Sequence, residues 1–227
     1  MNFNRRKCII FLIILIPVII VFFGFRNTQR NNYNNYRVSA FNRVIYYYEA
    51  GKYEKAIEWY KTAAEYGSVS ALNNLGWMYE YGEGVEQDYE KAFEYYREAA
   101  EIGEPNAQCN LGLMYKNGKG VKKDSDEARK WFRKAAEKEI SVAQFELGQM
   151  YYEGLSVVKN YEKAFEFYLK AAEQEYGPAE AYIALMYYEG QGVKKDLDAA
   201  KKWLNRAEDH GYRNGLTSWL YGRLFLD

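Results

Sequence analysis

Three near-identical stretches hold the residues that most resemble chemistry. "GEGVEQD" (82–88), "GKGVKKD" (118–124) and "GQGVKKD" (190–196) each set two glycines, a valine and a carboxylate at one spacing. A glycine-rich loop cradles phosphate when a strand precedes it and Lys-Ser/Thr opens the helix that follows. Here helical patterning precedes the loop and "VEQD" or "VKKD" follows. The loop therefore reads as punctuation: Gly82 and its equivalents end a helix in the left-handed region, and Asp88, Asp124, Asn160 and Asp196 cap the next one. Asp124 with Glu127 reads as a variant capping box.

The remaining reactive residue types are sparse. His210, the one histidine, stands in "EDHGY" at a helix end, where a cation suits the dipole and Gly211 supplies the C-cap. Cys109 lies within a helical stretch beside Asn110 and reads as a small buried hydrophobe. The carboxylates fall at caps or alternate with lysines on solvated faces, as in Glu54, Lys55, Glu58 and Lys61. No catalytic dyad, Cys/His pair or metal-ligand spacing emerges, so neither an enzyme nor a cofactor or metal is expected. Cys8 and Cys109 give no disulfide framework.

Charge placement narrows the partner class. The 227 residues carry 31 basic and 31 acidic side chains, but seven of the basic ones precede the first acid, Glu49. The remainder holds 24 basic against 31 acidic residues. Such an acidic body repels a phosphate backbone, so nucleic acid is not the expected partner. The basic start suits an anionic membrane surface.

Residues 8–25, "CIIFLIILIPVIIVFFGF", contain no charge and follow "RRK". As a helix they would span roughly 27 Å, enough for a bilayer core. Pro17 is tolerable in such a helix, and the flank "GFRNTQR" has no small-residue cleavage site. An uncleaved transmembrane signal anchor is expected at 8–25, after a basic segment at 1–7 and before a juxtamembrane linker at 26–37. The amino terminus would lie in the cytoplasm and the body outside it, in a bacterial cell membrane.

The elements that position everything else come from a repeat of 36 residues. Ala71, Ala107, Ala143 and Ala179 mark it, followed by Leu75-Gly76, Leu111-Gly112, Leu147-Gly148 and Ile183-Ala184, then by a Met-Tyr pair in each copy. After each loop come Tyr95-Tyr96, Trp131-Phe132, Phe167-Tyr168 and Trp203-Leu204, then alanines. Both halves show the i, i+3, i+4, i+7 spacing of amphipathic helices. The mid-helix glycines each cost about 1 kcal/mol against alanine. Their recurrence predicts that a large ring of the neighbouring helix packs directly on the backbone there.

The residues "ALNNLGWMYEYGEGVEQDYEKAFEYYREAA" (71–100) closely resemble the Sel1-like repeat. The resemblance covers 71–211 in four copies, divided at 71–106, 107–142, 143–178 and 179–214. "AFNRVIYYYEAGKYEKAIEWYKTAA" (40–64) lacks the Gly-x-Gly-Val loop and resembles a tetratricopeptide unit, giving a helix pair at 38–70. Residues 215–227 read as a capping helix. Ser156, Asn160, Glu139 and Glu175 depart from the pattern at loop positions. The resemblance implies an all-α fold, a right-handed α-solenoid of stacked antiparallel helix pairs, that serves as a protein-binding adaptor. Cysteine-rich members have been linked to β-lactams, but the paired cysteines that would carry this over are missing.

By analogy with the tetratricopeptide register, the first helices line a concave groove. Its expected positions are Phe41, Ile45, Tyr48 and Glu49, then Asn73, Trp77, Glu80 and Tyr81, then Cys109, Leu113, Lys116 and Asn117. Phe145, Gln149, Tyr152 and Glu153 follow, and finally Leu185, Tyr188 and Glu189. Aromatic rings with acids between them would suit an apolar or basic peptide. Too few basic residues stand there for a clamp on a peptide carboxylate. The alternative is an assembly subunit that uses the edges of the solenoid and no groove.

Overall fold

The computed structural model describes residue 40 and residues 42–226. The expected anchor and Phe41 lie outside them, and no helix among the described residues is long and apolar enough to cross a membrane. The chain is helical throughout the described residues. Helix α1 (42–49) pairs with α2 (Tyr53–Glu65), α3 (Val69–Tyr81) with α4 (Tyr89–Ile102), and α5 (Pro105–Asn117) with α6 (Ser125–Ala136). Helices α7 (Ser141–Glu153) and α8 (Tyr161–Ala172), then α9 (Gly177–Glu189) and α10 (Leu197–Asp209), continue the series. Helix α11 (Gly215–Tyr221) runs on into a π-helical turn, Gly222–Leu226. From α2 onward each helix packs on its successor, most extensively within a pair, which builds a helical solenoid.

Its core is the repeated motif. Leu75, Leu111, Leu147 and Ile183 are buried, as are Met78, Met114, Met150 and Met186. A Cβ on Gly76 would meet the Tyr96 ring at 2.6 Å; on Gly112 it would meet Phe132, and on Gly148 Tyr168, at the same distance. The glycines exist so that a ring can lie on the helix backbone, as expected. The fourth copy has Ala184 with Leu204, and both are buried. Without a ring, the glycine is not needed.

The loops are closed by their own backbone. Gly82 stands at φ 70° and donates to the carbonyl of Met78, and the Asp88 N–H bonds to the Tyr79 carbonyl at 2.9 Å. The bonds from Asp124, Asn160 and Asp196 to Tyr115, Tyr151 and Tyr187 repeat the latter. Asp88 and Asn160 accept the N–H three residues on, while Asp124 and Asp196 accept two N–H groups each. The expected capping box at Asp124 is only half made, because Glu127 is drawn outward to Lys130 at 2.6 Å. The second loop glycine touches the preceding unit: a Cβ on Gly120 would lie 2.0 Å from the Tyr89 carbonyl oxygen. In the third loop Ser156 takes that place, donating to Asp126 of the preceding unit at 2.9 Å. The loop thus stops one helix and spaces two units.

Glu139 and Glu175, which take the place of Gly103 in the repeat, keep the left-handed conformation at φ 62° and 60°. Both are exposed side chains after a helix end, so the backbone alone sets their cost. Glu139→Gly and Glu175→Gly are each expected to stabilise the fold by roughly 0.5–1 kcal/mol, the relief of strain being partly offset by a freer unfolded chain. Chemical denaturation measures this, and an unchanged midpoint would contradict it.

Candidate functional site

The first-helix face divides into two regions of different character. On α3, Trp77 is 39% and Tyr81 60% exposed, and their rings lie 5.1 Å apart, one turn from each other. Around them the polar groups are held in place. The Asn73 side-chain Oδ1 accepts from the Asn110 side-chain amide of α5 at 3.1 Å. Glu80 accepts from the Tyr96 hydroxyl at 3.1 Å and pairs with Lys119 at 3.0 Å, tying α3, α4 and the next loop together. Lys116 pairs with Glu146 of α7, which is buried. Burial and a hydrogen bond to Glu83 push the Tyr48 hydroxyl up to about 12.

Farther along, the expected contact rings are partly buried and pack against the core. Phe145 packs against Tyr168, Tyr176 and Tyr182, with centroids 5.4–5.6 Å away. Tyr152 lies among Tyr161, Tyr168 and Tyr182, and burial pushes its hydroxyl up to about 12. Tyr188 is half-buried, edge-on to Trp219 at 5.5 Å. Cys109, Gln149 and Leu185 are buried, so they cannot line an open groove. Glu49, Asn117, Glu153 and Glu189 are exposed. Of the expected contact rings within the described residues, only Trp77 and Tyr81 stand clear as a pair.

Two features escaped sequence reasoning. Glu180 is fully buried, with Arg206 Nε 2.6 Å and His210 Nδ1 2.8 Å from its two oxygens. The Arg206 contact is an ion pair and not an aligned hydrogen bond. His210 closes α10 and is followed by a left-handed Gly211, as expected, but its ring is committed to that carboxylate. Gln144 and Gln174 pair at 2.8 Å across the same sequence separation one unit earlier. The other feature is a cluster of exposed rings at the last helix, Trp219, Tyr221 and Phe225.

Catalytic chemistry finds little support in this arrangement. Burial raises the Cys109 thiol to about 12, which makes it a poor nucleophile. Among the described residues no group of three His, Cys, Asp or Glu side chains converges on a metal-sized site.

Stacked helix pairs, with rings seated on glycine and each loop set against the preceding unit, define an α-solenoid. The Sel1 repeat profile matches residues 36–68, 69–104, 105–139, 141–176 and 177–212, and the chain belongs to the Sel1 repeat family. A Sel1 repeat protein of Oxalobacter formigenes is 37% identical over 81% of this chain and 73% of its own, with a TM-score of 0.73. A protective antigen of uropathogenic Escherichia coli strains, with the same repeat fold, is 31% identical at a TM-score of 0.72. That match covers 86% of this chain but 41% of the antigen. Among curated proteins no relative matches. Sel1 repeats generally serve as non-enzymatic scaffolds for protein–protein interaction.

Proposed function

We propose that this Sel1-repeat scaffold is anchored in a membrane by residues 8–25 and binds a protein segment on the open face of α3. The exposed Trp77–Tyr81 pair carries the reading. Two adjoining aromatic side chains on a rigid helix offer contact area with little side-chain entropy to lose, as binding anchors do. The helix is held by the Tyr96–Glu80–Lys119 contacts, so the rings are presented by a pre-organised surface. The acidic character of the body favours an apolar or basic segment. Repeats on the extracytoplasmic side complete the proposal.

Photo-crosslinking from position 81 in native membranes, followed by alkaline and detergent extraction, tests both parts. The protein is expected to resist alkali and leave with detergent. Trp77→Ala with Tyr81→Ala should weaken capture of the crosslinked partner roughly tenfold or more at unchanged thermal stability. Release by alkali would remove the anchor from the proposal. Undiminished capture by a folded double variant would remove the α3 face.

A further inference from the structure

The loops between paired helices change sign along the solenoid. The first, 82–88, holds Glu83, Glu86 and Asp88 and no base. The next three, 118–124, 154–160 and 190–196, hold six lysines against Asp124 and Asp196. Both aspartates are committed to capping N–H groups, and of these lysines only Lys119 pairs with an acid among the described residues, Glu80. The first turns that follow, 125–130, 161–163 and 197–202, carry four acids and five bases, which leaves the sign unchanged. These loops stand side by side, since each is set against the unit before it: Gly120 against Tyr89, Ser156 against Asp126 and Gly192 against Tyr161. Equivalent positions along that row read Lys122, Val158 and Lys194, then Lys123, Lys159 and Lys195. The middle loop also has Leu155 where its neighbours have Lys119 and Gln191. Its backbone keeps the bond from the Asn160 N–H to Tyr151 at 2.9 Å, and Val157 supplies the packing valine. Val158 is 89% and Leu155 43% exposed, so an apolar tip stands in solvent between lysines.

We propose that this loop edge docks on an anionic phospholipid bilayer, with Val158 and Leu155 entering the interface and the flanking lysines beside the head groups. Basic residues around an apolar tip suit an anionic interface, the lysines by attraction and the tip by burial of apolar surface. A nucleic acid would use the lysines alone and leave Val158 in water. The chain's own residues before Glu49 bring seven basic side chains and no acid, so they do not complement the edge. The first loop of a second copy has the opposite charge, but it offers Glu83, Glu86 and Gln87 at the places of Leu155, Val158 and Lys159, with nothing apolar there to receive the tip. The edge uses other residues than the Trp77–Tyr81 face. It does not require the anchor at 8–25, although that anchor would hold it beside a bilayer.

The test uses the full chain reconstituted into phosphatidylcholine vesicles with or without phosphatidylglycerol. It carries a bimane at position 158, through Val158→Cys in a Cys8→Ser chain, since Cys109 is buried. With phosphatidylglycerol the emission should shift to the blue and be quenched by nitroxide-labelled acyl chains; in phosphatidylcholine alone it should do neither. High salt should reverse both effects. Lys122→Gln, Lys123→Gln, Lys194→Gln and Lys195→Gln together should abolish them at an unchanged unfolding temperature, because all four side chains are exposed. A bimane placed by Glu137→Cys, just past the far end of α6, should stay unquenched. Flotation with phosphatidylcholine vesicles reads the anchor separately. A chain that floats there but shows no quenching with phosphatidylglycerol keeps the anchor and overturns the edge. One that floats only with phosphatidylglycerol, quenched at 158, supports the edge and removes the anchor. Quenching that survives the four-lysine change, or equal quenching at 137, overturns the proposal. So does a blue shift produced by soluble polyglutamate, or by self-association in detergent without lipid, which would assign the edge to an acidic polypeptide or to a second copy.

Discussion

Gly112→Leu is expected to destabilise the full chain by roughly 1–3 kcal/mol or more, read as a lower unfolding temperature. The incoming Cβ would meet Phe132 Cε1 at 2.6 Å and Cδ1 at 2.7 Å, before the rest of the side chain is placed. Phe132 is completely buried among Ala128, Ala135, Ala143 and Leu147, so it has no free direction in which to yield. The fourth unit shows how the same contact is made without glycine, with Ala184 facing Leu204. Gly112→Ala with Phe132→Leu should therefore lose less than the two single changes together, a coupling of about 0.5–3 kcal/mol. Additive losses, or an unchanged unfolding temperature for Gly112→Leu, would mean that ring-on-backbone packing does not explain the glycine.

That contact was legible because it obeys the period. Glycines, rings and caps recur every 36 residues, and a local rule of helix packing or capping turns each recurrence into geometry. The aromatic groove was only partly legible because exposure depends on residues that break the period. At the place of Asn74, Asn110 and Glu146 the fourth unit has Tyr182. Its ring joins Phe145, Tyr152 and Tyr168, which draws two expected contact residues into the packing between units. In the earlier units that level carries a polar link, Asn73 to Asn110, and no ring covers Trp77 or Tyr81 from the next unit. Face position alone could not distinguish the two cases. The same holds for Glu180, whose place is taken by Gln108 and Gln144 in earlier units. A carboxylate there is intelligible only once Arg206 and His210 are seen beside it.

Arg206→Leu should cost roughly 3 kcal/mol. Removing one partner of a buried pair typically costs about 3–5 kcal/mol, because the remaining charge stays out of water. The lower end applies because the Arg206 side chain is 42% exposed and the His210 ring still touches the carboxylate. Two contributions must be separated, since Arg206 also donates to the Ala172 carbonyl at 2.9 Å, where α8 ends. Glu180→Gln separates them. It keeps the shape and hydrogen-bonding capacity found at Gln108 and Gln144 but removes the charge, so alone it should shift stability by no more than about 1 kcal/mol. In that background Arg206→Leu should lose only the bond to Ala172, again about 1 kcal/mol. The difference between the two backgrounds then measures the ionic part. Denaturant unfolding of the four proteins at neutral pH gives all the values. An equal loss from Arg206→Leu in both backgrounds would show that Arg206 supports the end of α8 and does nothing for the buried carboxylate.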